Sequence, residues 1–112
     1  MSDEVLDPNV FNEMRELMDD ALGAFINTYL DNSPKLIANI DSGMSSGDMD
    51  TVKHNAHQLK GGSGSIGAMQ LFELAKQIEH QSGNEQPQGL EQLVSDLKAE
   101  FERVAEALKP YA

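Results

Sequence analysis

Leu90, Leu93, Val94, Leu97, Phe101, Val104 and Leu108 recur every three or four residues, the spacing that gathers side chains on one face of an α-helix. The same rhythm runs through Phe11, Met14, Leu17 and Met18, then through Ala21, Leu22, Phe25, Ile26, Tyr29 and Leu30, and resumes at Leu36, Ile37 and Ile40. No strand-like alternation competes with it. Val, Ile, Phe and Tyr are sparse beside Leu, Ala, Met, Glu and Gln. A chain written this way folds as helices that bury their stripes against one another.

The stripes predict an all-α fold, an antiparallel up-down four-helix bundle with a short additional N-terminal helix. Asp7-Pro8 reads as N-cap and first helical residue of a cap helix over 8–18. Bundle helices are expected over 20–44, 48–66, 68–82 and 88–109, within a single domain spanning 1–112. Pro34 removes a helical hydrogen bond and crowds the preceding turn. The apolar phase survives it, so a kinked continuation is expected. Ser42 to Gly47 reads as a loop, Asp48 as the next N-cap, and Ser82 to Gln88, with Gly83 and Pro87, as a second connection. A chain of 112 residues buries about two thirds of its unfolded surface, enough for one core.

Charge and residue usage remove several functions. Nineteen acidic residues against eight basic ones give a net charge of −11, with no Lys/Arg cluster to neutralise phosphates. Nucleic acid and anionic membranes are thereby poor partners. The absence of cysteine excludes disulfides, thiolate nucleophiles and zinc-thiolate sites. Met1-Ser2-Asp3-Glu4-Val5 is acidic and does not read as a secretory leader, and no apolar run approaches the roughly 20 residues that span a bilayer. A cytoplasmic protein is expected.

The chemistry concentrates in Ala56-His57-Gln58-Leu59-Lys60-Gly61-Gly62-Ser63-Gly64-Ser65-Ile66-Gly67-Ala68. Met49, Val52, Ala56, Leu59 and Ser63 form the buried sector of this helix, which sets His57 about 120° away, facing solvent. Lys53, His54, Lys60, Gly61 and Gly64 share that outward side or its flank. Each glycine inside a helix costs on the order of 1 kcal/mol relative to alanine. Propensity alone therefore ends the helix near Lys60, whereas the apolar phase through Ser63 and Ile66 carries it onward. A histidine beside a lysine on a surface stripped of side chains suits access by another protein.

Ala56 to Ser63, then Gly67-Ala68, Leu71-Phe72-Glu73-Leu74-Ala75 and Ile78-Glu79, resembles the signature of histidine-containing phosphotransfer (HPt) domains. The flanking layout, including Leu6-Asp7-Pro8 and Phe25 through Leu36, is similar over nearly the whole chain. The resemblance implies a four-helix bundle whose third helix runs on through the glycines. It also implies phosphorylation of His57 on Nε2, in a stand-alone phosphocarrier without an ATP site of its own. Its partners would be receiver domains of a hybrid histidine kinase and of a response regulator, the receivers holding Mg²⁺. The protein itself would need no cofactor and would act as a monomer.

The residue types fit that chemistry. Neutral imidazole is a nucleophile near pH 7, and its phosphoramidate readily gives up the phosphoryl group to a carboxylate. Lys60, one turn along, can compensate phosphoryl oxygen charge. Gly61 leaves clearance for an incoming receiver, and Gly64 extends it. With Gly67 as the pivot between antiparallel helices, the level opposite His57 falls near position 77. Glu79 lies within about one turn of it. Its carboxylate can accept a hydrogen bond from Nδ1–H of His57 and leave Nε2 free. The family often carries glutamine or glutamate there.

Other residues read more plainly. His54 and His57, at i and i+3, could hold a metal only with a first shell that their own face does not complete, so no metal site is expected. His80 reads as a surface residue, and Met14, Met18, Met44, Met49 and Met69 as core or rim filling. Two rival functions stand beside the relay. One is a helical docking or adaptor module whose histidine is never phosphorylated. The other is a small hydrolase with His57 as base, for which neither Ser63 nor Ser65 is spaced as a nucleophile.

Overall fold

The computed structural model describes residues 5–84 and 89–112. Met1 to Glu4, and the stretch of the expected second connection from Glu85 to Gln88, lie outside the described residues. Helix α1 spans Pro8–Met18, α2 Leu22–Ser46, α3 Met49–Ser65, α4 Met69–Ser82 and α5 Leu90–Leu108. Short 3₁₀ turns, Asp19–Ala21 and Lys109–Tyr111, follow α1 and α5. No strand occurs among the described residues.

Helices α2 to α5 form a closed four-helix bundle in which α2 packs on α3, α3 on α4, α4 on α5, and α5 back on α2. The diagonal pairs, α2 with α4 and α3 with α5, bring no Cα atoms within 8 Å of each other. Ile26, Ile40, Val52, Leu59, Ile66, Leu71, Ile78, Leu97, Val104 and Leu108 fill the interior at 0–1% exposure. Each such side chain contributes about 1.5–3 kcal/mol relative to leaving it in water.

Helix α1 is capped as its sequence demands. The Asp7 carboxylate accepts from the backbone N–H groups of Asn9 and Val10 at 2.9 and 3.4 Å, with Pro8 in the first turn. The Asp7 N–H donates to the Gly67 carbonyl at 2.7 Å, tying α1 to the α3–α4 turn. Phe11 and Met14 are buried, and Phe11 packs edge-on against Tyr111 with ring centroids 4.8 Å apart. Leu17, spaced as if part of that stripe, instead projects into solvent.

Two passages of α2 show packing overriding local preference. The helix runs unbroken through Pro34, because Ile26, Tyr29, Ser33, Ile37 and Ile40 keep one buried phase across it. The expected Ser42–Gly47 loop is not formed. The helix continues to Ser46 and turns on Gly47, whose left-handed φ of 75° lets its N–H and that of Asp48 both reach the Gly43 carbonyl. Gly43 is buried, and a Cβ there would come within 2.8 Å of Val52. It permits close approach of α3 and does not break α2. Asp48 then caps α3 through Thr51.

Candidate functional site

Helix α3 continues through Gly61, Gly62 and Gly64 to Ser65. Three interior glycines oppose this by about 3 kcal/mol. Burial of Leu59 and Ile66 on either side supplies about 3–6 kcal/mol. The Tyr29 and Ser63 hydroxyls add a buried 2.8 Å hydrogen bond between α2 and α3. Burial pushes the Tyr29 phenol up to about 12, so this hydroxyl stays protonated. Packing decides the matter that propensity left open.

That continuation sets His57 on the outer flank of a rigid helix, between buried Ala56 and exposed Gln58, with its own side chain 62% exposed. Nδ1 lies 2.8 Å from Oε2 of Glu79 on α4. The other oxygen, Oε1, lies 2.8 Å from Nζ of Lys60. One carboxylate thus bridges the imidazole and the ammonium. Glu79 is held below the usual carboxylate range chiefly by the Lys60 hydrogen bond, with a smaller contribution from His57, against partial desolvation. An ionised carboxylate only accepts, so the ring proton sits on Nδ1. In the neutral ring Nε2 then carries the lone pair, and it has no hydrogen-bond partner among the described residues.

The glycines part company. A Cβ on Gly61 would meet nothing within 4 Å. One on Gly62 would touch the Tyr29 ring at 3.3 Å, and one on Gly64 would press within 3.0 Å of the Phe72 ring. Internal packing thus accounts for Gly64 by itself, since its bareness lets α3 and α4 pack around Phe72. Lys60 is likewise more than a solvated lysine, being one quarter exposed and ion-paired.

His54 lies on the same outward flank, its Nε2 2.8 Å from the Gln58 side-chain amide. No cluster of three metal-ligating side chains occurs among the described residues. His80 is exposed on the last turn of α4.

Two grooves flank the α3 ridge that bears His57. Between α2 and α3, Phe25, Tyr29, Leu36, Leu59 and Gly62 line a mainly apolar groove bordered by Lys35 and Gln58. Along α4, beside Lys53 of α3, Glu73, Lys76, Glu79 and His80 line a polar one. Neither was nameable from spacing, because half-buried Phe25 and Leu36 look like ordinary core members of the α2 stripe. Their failure to sink fully into the bundle is the only distinguishing sign.

A family model described as the Hpt domain matches residues 24–107. The crystal structure of histidine-containing phosphotransfer protein B (HptB) from Pseudomonas aeruginosa PAO1 is similar with a TM-score of 0.92 and 26% sequence identity, over 98% of this chain and 96% of that one. Among curated proteins none matches.

Proposed function

The chain belongs to the Hpt domain family, a family of phosphocarriers, and from that premise we propose that His57 relays a phosphoryl group between receiver-domain aspartates. The supporting observation is the ring itself. It is open to solvent, with Nδ1–H held by Glu79 and Nε2 unengaged. The Nε2 lone pair attacks the phosphorus of a donor aspartyl phosphate. The phosphorus–oxygen bond breaks, and its electron pair leaves on the donor carboxylate. Nδ1 keeps its proton, so the phosphorylated ring is cationic and faces the Glu79 carboxylate. Attack by an acceptor carboxylate reverses these events, the electron pair returning to Nε2.

Lys60, 2.8 Å from Glu79 and one turn from His57, is close enough to share its charge with the incoming phosphoryl oxygens. Gly61 leaves the approach open. The apolar α2–α3 groove, whose α3 wall is the same turn that carries His57, supplies the receiver's seat. Any Mg²⁺ belongs to the receiver, which supplies the catalysis, and the chain acts as a cytoplasmic monomeric phosphocarrier.

Incubation with a phosphorylated kinase–receiver pair tests this. Acid-labile, alkali-stable label is expected on the wild type and not on His57→Gln. Label retained by H57Q moves the site elsewhere. A wild type that binds receivers but never takes label is the docking module.

A further inference from the structure

The chain's negative charge is unevenly placed. Lys35 borders the α2–α3 groove, Lys53 and Lys76 line the polar one, and Lys60 stands beside His57. Among the described residues lining the grooves, Glu73 and Glu79 oppose them, and Glu79 is already paired with Lys60. Among the described residues that line the grooves or pair with Glu79, four lysines stand against two glutamates, a local positive surplus on a chain of net charge −11. Helix α5, diagonal to α3, holds five acidic residues against two basic ones. Asp50 stands one turn from Lys53 and offsets it in part, whereas from His57 itself Asp48 and Asp50 lie nine and seven residues away. At about 1.5 Å per residue that is roughly 10–14 Å, beyond a Debye length of about 8 Å at physiological salt.

The relay reading asks this acidic protein to meet an aspartyl phosphate, itself a dianion on a carboxylate. Uniformly spread charge would repel that partner at every angle of approach. The relieved face surrounds His57 and runs into both grooves. We propose that it is an electrostatic window, steering in partners whose docking surface is anionic, with Lys35, Lys53 and Lys76 setting the rate of association and not the chemistry. The inference rests on the proposed relay and adds the charge of the partner's surface.

Lys53 has no ion-pair partner among the described residues. Lys76 is only 4.0 Å from Glu73, both being more than half exposed. Both lysines are therefore available to a partner, and neither holds the bundle together. Surface charges of this kind act on association rates and lose their effect in salt.

The test uses a receiver domain that charges the wild-type protein, supplied as its aspartyl phosphate. Lys53→Glu with Lys76→Glu should lower the second-order transfer rate about tenfold or more near 50 mM salt and less than about twofold near 500 mM. The first-order rate at saturating receiver should stay unchanged. Lys98→Glu with Lys109→Glu, on α5 and the turn after it, alters net charge equally and should change transfer less than about threefold. Equal effects of the two pairs, or transfer indifferent to salt and to K53E/K76E, overturns the window and leaves the relay standing. No transfer from any receiver to wild type overturns the relay, and the window with it.

Discussion

Gly61 and Gly64 stand one turn apart on the same helix, and nothing in their residue type separates them. Gly64 faces Phe72 so closely that the bundle itself forbids a side chain there. Gly61 faces open space beside His57, where the bundle would be more stable with alanine. An internal contact accounts for the first glycine, and none accounts for the second, which the proposed relay assigns to partner clearance. The contrast divides α3 into a flank that answers to packing and a flank that packing leaves unexplained.

The largest expected effect falls on the open flank. Gly61→Gln should slow transfer by about 100-fold or more, since a docked reactant displaced by an ångström loses about that much. Helical circular dichroism should persist, with a melting temperature at or above wild type. Unchanged transfer would erase the distinction between the glycines. Gly64→Leu should do the reverse, destabilising the bundle by about 1–3 kcal/mol through overpacking against Phe72. Combining it with Phe72→Ala should recover part of that loss in denaturant melts, and strict additivity would mean the two never met.

Lys60→Ala sharpens the comparison from the side of charge. It should shorten the lifetime or lower the yield of phosphohistidine while leaving the fold intact. Unchanged values would make the lysine only a partner for Glu79. Tyr29→Phe, on the packed flank, should cost about 1 kcal/mol for the lost bond to buried Ser63. Because Tyr29 also lines the groove proposed as the receiver's seat, the rate to compare is that at saturating receiver, which should scarcely move.

The smallest effects separate two carboxyls by pH. Glu79 is held low by Lys60 and then His57, so what its pairing adds to stability exists at neutral pH and disappears as acid carries the pH through that lowered value. Glu100, buried on α5 with Arg103 3.3 Å away, is pushed up by burial in spite of that arginine. Its contribution is favourable in acid and is lost as pH rises through the raised value. Glu100→Gln should therefore raise thermal stability at pH 7 by no more than about 1 kcal/mol, and the gain should vanish below the ordinary glutamate range. A gain of equal size in acid would contradict the burial argument.

Much of the fold could be read from residue spacing alone. The Asp7-Pro8 start, the Asp48 cap and the inward stripe of each bundle helix follow from positions along single helices. Counting back from Gly67 also placed Glu79 within reach of His57, because two antiparallel helices joined by a short turn share one ladder of levels. Leu17, Ser42 to Ser46 and Gly64 went the other way. Each depends on which surface lies opposite, and residue type does not carry that information.

By itself the sequence determined the helices, their buried faces and a histidine turned outward beside a lysine, since backbone periodicity projects residue order directly onto angle around an axis. Tertiary structure alone decided that one carboxylate bridges His57 and Lys60 and that Phe72 claims Gly64, and it settled the course of α3 through glycines whose propensity and apolar phase disagreed. Those outcomes turn on distances of a few ångströms between separate helices. Only the packed bundle sets such distances, because burial and pairing across helices outweigh the weak preferences within each.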